Sequence, residues 1–442
     1  MQPLSYKTRI YPTPEQEEVL WKLSNQCRLL YNFALLERDS EWYVNKKSVS
    51  YNTQQNKLPR IKEKYPNYEW VYSKVLQSTL RKLDDAYGSF YTLNSHGDEN
   101  ARPPGYRGRD YFFTMNYNQS GFKLSKNKVK FSQYYTKEVT LEFDAEIPEF
   151  DKVKQIEIFQ DNNKYFVSIG YEIETPEYVD NELYQAWDLG VTKQTGVNSE
   201  GKYIEIKNIR PDLYWKKKIS SLQSRRDHCK KKDGRKKNCR KSSIKWVQMD
   251  NLKKKCERRS RNQILDFQHK MTTMIVNNTK ANTIFIGDLS VKDMPKSDQA
   301  NRSLNRGTQN TGYLGRMAQF LIYKAPLVGK KATKIDESYT SKTCGICGRV
   351  HYMPLYQRNM NCECGNRIDR DRNSANSIMM LALSQNALWQ SYQKFSNNLL
   401  KTTNLEILPP EKLLSVFGNL RNTGRMLSMS VHSQEAPSAR VG

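Results

Sequence analysis

From Leu4 to Ile10 polar and apolar residues alternate, the period of a half-buried strand. Thr13-Pro14-Glu15-Gln16 then carries the marks of a helix start. Thr13 can cap, Pro14 suits the first helical position and Gln16 can close a capping box. Leu20, Leu23, Cys27, Leu30 and Ala34 follow at helical spacing. A second stripe, Leu76, Leu80, Leu83, Tyr87 and Phe90, predicts a helix over 75–90. Pro103-Pro104-Gly105 closes this helical segment, and the pattern up to about Glu174 is that of strands. It is clearest where QIEIFQ and KYFVSIGYEIE flank a hairpin turn at Asp161-Asn162-Asn163. The strand at 4–10 can pair with this later sheet.

A third region begins near Tyr184. QAWDLGV reads as a strand, Ser199-Glu200-Gly201 as a turn and YIEI as its hairpin partner. Residues 212–277 read as helical, interrupted near Asp233-Gly234. TIFIGD at 283–288 is a buried strand. The stretch 293–312, rich in Ser, Asn, Gly and Arg, suits a mobile lid. A helix over 313–325 leads to the strand ATKIDE at 332–337, and a further helix begins after Asp371. Past residue 403 the pattern fades, and the last 20 residues read as disordered.

The chain has 442 residues, room for two or three domains, and 27 Tyr, 15 Phe and 7 Trp supply large side chains for their cores. No apolar run reaches 18 residues and MQPLSYKTRIYP lacks an apolar leader core. A membrane span and a secretory leader are therefore not expected, and the compartment expected is the bacterial cytoplasm, at the nucleoid. The net charge of +26 calls for a polyanion, and nucleic acid fits best because each neutralised phosphate releases a counterion. The excess is concentrated: Lys216 to Arg261 holds 20 Lys+Arg against 4 Asp+Glu. Trp215, Ile219, Leu222, Ile244, Trp246 and Leu252 give this segment an inner side, so it reads as a basic helical hairpin lying on phosphates. No helix with a clear apolar stripe adjoins the basic runs, so no membrane partner is expected.

Two groups of residues point to metal chemistry. Cys344-Gly-Ile-Cys347 and Cys362-Glu-Cys364-Gly365 are separated by 14 residues, a spacing at which four thiolates on tight knuckles can share one tetrahedral Zn²⁺. The second pair is C-x-C, a departure from the commoner C-x-x-C. With all four positions filled by protein, the zinc is expected to be structural. The second group is acidic. Asp188 lies inside an apolar strand, where a carboxylate is costly unless it binds something. Asp371 lies at a helix start, where it can also serve as a plain cap. Glu337 ends the strand ATKIDE on the face of Ile335.

AWDLGVT, TIFIGDLSVKDM, SYTSKTCGICG, CECG and DRDRNSANSIM, in that order, resemble the split RuvC domain and zinc finger of the TnpB family, transposon-encoded RNA-guided nucleases related to type V CRISPR effectors. RIYPTPEQ, RLLYNFAL and RPPGYRGRDYF are similar to the family's N-terminal half, and HSQEAPSARVG to its tails. The resemblance covers most of the chain and implies an α/β multidomain protein. Residues 1–10 and 101–180 would form a wedge β-barrel and 11–100 an inserted helical recognition domain. Residues 181–340 and 366–402 would form an RNase H-like (RuvC) nuclease domain, interrupted by a zinc finger at 341–365 and followed by a tail at 403–442.

The resemblance further implies a monomer carrying a guide RNA from the transposon end and cutting double-stranded DNA beside a short transposon-adjacent motif. Arg102, Arg107 and Arg109 are candidates for phosphate or base contacts. The family's three catalytic carboxylates map to Asp188, position 287 and Asp371, but position 287 is glycine. Two answers are open. In one, the nuclease is dead and the protein is a guide-directed binder acting as a repressor. In the other, Glu337 supplies the missing acid, as in a divergent subset of the family. In an RNase H-like sheet, the strand of Gly287 lies between those of Asp188 and Glu337, about 4.8 Å from each neighbour, and the bare glycine leaves space. Asp288 is the weaker substitute, since adjacent residues point to opposite faces. Asp188, Glu337 and Asp371 would then hold two Mg²⁺ ions about 3.5–4 Å apart. A DNA-strand transferase, which also uses such carboxylate triads, is a third class.

Overall fold

The computed structural model describes residues 1–442 apart from 99, 151, 233–242, 289–306, 309–310, 355 and 401–442. The chain divides into two units, Met1–Glu174 and Thr175–Gly442.

In the first unit, β1 (Gln2–Ile10) runs into α1 (Pro14–Asn45), whose start is held by the expected reciprocal box between Thr13 and Gln16. Gln16 Nε2 also donates to the carbonyls of Thr140 and Glu142, at 2.9 and 3.1 Å, fixing the helix on the later strands. The short helices α2 (Tyr51–Asn56) and α3 (Leu58–Lys64) lead to α4 (Ser73–Ser95), longer than its apolar stripe predicts. Strands β2 (Met115–Asn118), β3 (Phe122–Ser125), β4 (Lys128–Phe131), β5 (Leu141–Asp144), β6 (Lys152–Asp161) and β7 (Lys164–Ile173) follow. Asn162 and Asn163 both take positive φ, 50° and 58°, which lets a two-residue turn match the twist of β6 and β7. β1 pairs antiparallel with β7 along its whole length, as its alternation suggests.

Two expectations change here. Among the described residues the strands form two sheets, β1-β7-β6-β2 and β3-β4-β5, not one closed barrel. The helices and sheets also bury one common core, with Leu20, Leu30 and Leu76 joining Tyr117, Phe131 and Val167, so 11–100 does not stand apart from the strands.

The second unit is built on β8 (Tyr184–Leu189), β9 (Lys193–Asn198), β10 (Tyr203–Lys207), β11 (Thr283–Asp288) and β12 (Lys331–Asp336), in the order β10-β9-β8-β11-β12. β8, β9 and β10 are antiparallel, while β11 runs parallel to both β8 and β12. The sheet is covered on both faces. Trp187, Leu189, Ile284 and Ile286 pack with α6 (Ile244–Asn278) and α7 (Gly315–Lys324). Ala186, Phe285 and Ile335 pack with α8 (Arg370–Gln385) and α9 (Trp389–Leu400). Strand alternation therefore assigns each sheet residue to one helical layer.

β9 is absent from the sequence reading, which runs straight from the strand of Asp188 to YIEI. KQTGVN has little apolar alternation, and Gly196 is there because a Cβ would come within 2.9 Å of the Trp187 ring. α5 (Pro211–Lys232) and α6 form the expected basic hairpin, held by an Arg226–Asp250 pair at 2.8 Å, with Arg226 over the Trp246 ring. Its inner side is thinner than expected: Leu222 is buried, but Ile244 and Leu252 are exposed. Its tip, most of the 293–312 stretch and the tail beyond 400 lie outside the described residues.

Candidate active site

Asp188, Gly287 and Glu337 meet at one end of the sheet on the face covered by α8. β11 lies between β8 and β12, with Ile286 opposite Trp187 on one side and Gly287 opposite Ile335 on the other. By alternation Asp188 shares the face of Ala186, Gly287 that of Phe285, and Glu337, the first residue after β12, that of Ile335. Glu337 emerges two residues beyond the rung of Gly287, about 6.6 Å along the strand. Its side chain folds back to close that distance. A Cβ built at Gly287 would lie 1.7 Å from Glu337 Oε2 and 3.0 Å from Ile378 Cδ1, so the glutamate occupies the place a side chain at 287 would take. Asp288 points to the other layer and forms a 2.8 Å ion pair with Lys334.

Glu337 is 7% exposed, and its Oε2 is buried with no hydrogen-bond partner. Burial raises it well above the ordinary glutamate range, and Asp188, Asp288 and Asp336 add repulsion. Burial, followed by the charge of Asp371, pushes Asp188 up to about 7, against the pull of Arg370, Ser374 and Lys193. Asp371 lies in the first turn of α8, where the helix N-terminus favours a carboxylate. It is not the cap: Asp369 is, accepting from the backbone N–H groups of Asp371 and Arg372 at 3.0 and 3.3 Å. Lys193 Nζ lies 3.0 Å from Glu205, 3.1 Å from Asp369 and 3.6 Å from Asp371, and Arg370 lies 3.6 Å from Asp371.

Among the described residues only the four cysteines bring three or more ligand atoms within 4.8 Å of one another, so the carboxylates form a more open group. The unpartnered Glu337 oxygen and the mutual repulsion with Asp188 are the features a cation would relieve. Asp188 feels the charge of Asp371, and Glu337 in turn feels that of Asp188.

The cysteine module lies between β12 and α8. Cys344 and Cys364 Sγ are 3.8 Å apart, and Cys347 and Cys362 Sγ 3.5 Å. Four donors about 2.3 Å from one centre stand ~3.8 Å apart, so the set fits a tetrahedral zinc. The C-x-C knuckle closes because Gly365 takes φ +95° and donates its N–H to the Cys362 carbonyl. The short strands β13 (Asn359–Asn361) and β14 (Arg367–Asp369) pair on either side of the second knuckle, and β14 leads into α8. One zinc per chain is expected by elemental analysis. Cys344→Ser is expected to lose it and lower the unfolding temperature, because metal binding is folding energy in so small a module; an unchanged zinc content would contradict the assignment.

Sequence reasoning did not find Lys193, Asp369, Thr340, Asn373 or Ser374. Only Asp369 left a signal, the repeated acid of IDRDRN. Arg107 is engaged within the protein: its guanidinium lies over the rings of Tyr31 and Tyr111, and Arg28 and Asn32 donate to its carbonyl.

Comparison with known proteins bears on the family and the fold. A family model described as the Cas12f1-like TNB domain matches residues 315–378, a span that contains Glu337, the four cysteines and Asp371. A helix-turn-helix domain model matches residues 1–47, which here form a strand and one continuous helix. A Streptomyces pristinaespiralis protein, provisionally named an RNA-guided DNA endonuclease, is 26% identical over 87% of this chain and 90% of its own length. The TnpB-like protein L79 of Acanthamoeba polyphaga mimivirus is 30% identical over 29% of this chain and 25% of its own length. The chain is similar to TnpB-family proteins at both ends of its described length. Among solved structures, the cryo-EM structure of the Cas12f1-sgRNA-target DNA complex matches 85% of this chain and 98% of its own chain, with a TM-score of 0.54 and 14% identity, a likeness of fold.

Proposed function

We propose that this chain is a TnpB-family RNA-guided DNA endonuclease that hydrolyses target DNA beside a short transposon-adjacent motif, using Asp188, Glu337 and Asp371 as its acids. The observation that carries the reading is the Glu337 carboxyl standing in the space over Gly287, buried and unpartnered, on the face of Asp188. A site that had merely lost its acid would have no reason to keep a second one folded into the gap at the cost of desolvation. The name of the Streptomyces relative supports the same class.

Asp188 would contribute to both metal positions, with Glu337 and Asp371 each completing one. Bound Mg²⁺ at these acids would supply Lewis-acid polarisation of the phosphate and an activated water. The chain's own part is to hold three carboxylates at fixed spacing. Lys193 and Arg370 steady Asp371, and the α8 N-terminus favours its charge. Sequence would be read by pairing of a transposon-end guide RNA with the target strand, and the protein, as a monomer, would grip the heteroduplex through its backbone. The basic hairpin of α5 and α6 supplies charge for such contacts. Among the described residues no helix is long and apolar enough to cross a membrane.

The test is plasmid cleavage with guide RNA and Mg²⁺. The wild-type chain is expected to cut. Asp188→Ala is expected to lose at least ~10³-fold in single-turnover rate, the scale of losing a preorganised electrostatic contact to the reacting centre, while guide-directed binding persists. Binding without cutting by the wild type would replace the nuclease with a guide-directed repressor, and strand joining would indicate a transferase.

A further inference from the structure

Three buried polar side chains connect the cysteine module to the acids. Asn373 of α8 is 1% exposed, and its Oδ1 accepts from the backbone N–H of Gly345 at 2.9 Å, inside the first knuckle. Its Nδ2 donates to the carbonyls of Thr340 and Thr343, at 3.2 and 2.8 Å. One amide thus holds both sides of the turn leading into Cys344. A Cβ at Gly345 would lie 3.4 Å from Asn373 Oδ1 and from Ser377 Oγ, so knuckle and helix are in close contact.

Next to it, the Oγ1 of Thr340 donates to the Glu337 carbonyl at 2.8 Å and lies 2.9 Å from Ser374 Oγ, both residues being fully buried. The Ser374 hydroxyl also pulls the Asp188 carboxyl down, against its burial. Each hydroxyl has one proton. With that of Thr340 on the Glu337 carbonyl, which the Thr340 N–H also serves at 3.1 Å, Ser374 donates across the contact with Thr340. The relay runs from the chain at Glu337 through Thr340 to Ser374 of α8.

Glu337 has need of such support. It lies one residue past the end of β12, where the ladder no longer fixes the backbone. The ordered structure that follows is the first knuckle, where Thr343 bridges to Val350. We propose that Asn373, Thr340 and Ser374 are positioning residues, a buried polar staple through which the cysteine module sets the position of Glu337 against α8, the helix that carries Asp371. The proposal rests on the reading of these acids as a cation site. Removing a buried partner leaves a desolvated group unpaired, so the staple is sensitive to single atoms.

The test reads Mn²⁺ affinity by calorimetry on the full-length chain, together with zinc content, and does not depend on cleavage. Thr340→Val, which keeps shape and removes the hydroxyl, is expected to retain zinc and bind Mn²⁺ about tenfold more weakly, the usual scale for a ligand-orienting contact. Thr340→Ser is expected to return within about twofold of wild type, and wild-type chain stripped of zinc to weaken about tenfold as well. Wild-type affinity in Thr340→Val, no recovery in Thr340→Ser, or indifference to zinc removal would each overturn the staple. A wild-type chain with no Mn²⁺ site would overturn both the staple and the cation site. Weakened Mn²⁺ binding in a chain that never cuts plasmid would leave the staple standing and remove the nuclease.

Discussion

A single methyl group at position 287 is expected to stop target cleavage. In Gly287→Ala the new Cβ would stand 1.7 Å from Glu337 Oε2 and 2.8 Å from its Cδ, far inside contact distance, so the carboxyl has to leave. The backbone of Gly287 needs no special conformation; the glycine is there for space. The expected loss is about 10³-fold in single-turnover rate, matching loss of the acid itself, with guide-directed binding unchanged. Gly287→Asp combined with Glu337→Ala should behave differently. Truncating the glutamate empties the space, and an aspartate on the central strand would then stand between Asp188 and β12. That double variant is expected to recover at least ~10-fold over Gly287→Ala. If Gly287→Ala cut at the wild-type rate, the space over the glycine would have no part in the chemistry.

The second large effect is one of reach. Gly287 pairs with Ile335, so Glu337 starts two residues farther along and spans that offset with its side chain. Aspartate is one methylene shorter. Glu337→Asp is therefore expected to lose about 10²-fold in rate and Glu337→Ala about 10³-fold, both measured in single turnover with saturating guide complex. Stability should move the other way. A buried carboxyl with an unpartnered oxygen, raised by burial and by three neighbouring acids, is held at a cost to folding. In the metal-free protein Glu337→Gln and Glu337→Ala are expected to unfold no earlier than wild type, and up to ~1 kcal/mol later, the usual trade between stability and function. A clear loss of stability in both would mark Glu337 as structural.

Much of this arrangement was legible in the sequence because it depends on local chemistry. The box of Thr13 and Gln16, the Asn162-Asn163 turn, the apolar alternation of TIFIGD and the two cysteine pairs each announce themselves within a few residues. The face shared by Ile335 and Glu337 follows from a period of two. What stayed hidden depends on partners far apart in the chain. β9 is set by its place beside Trp187, not by its own composition. The split of the first unit's strands into two sheets is a matter of pairing, which alternation does not encode. Asp369 took the cap that Asp371 could also have offered, because both sit in one short run and only backbone geometry separates them. Asn373, Thr340 and Ser374 are ordinary polar residues until the fold brings the knuckle against α8.

The central claim is that the carboxyl of Glu337 is the third acid of a working site. Glu337→Gln tests it most directly, since it keeps the shape over Gly287 and removes only the charge. On a plasmid carrying the matched target, with guide RNA and Mg²⁺, wild-type chain should cut and Glu337→Gln should bind the target without cutting. Cleavage by Glu337→Gln at the wild-type rate would contradict the account.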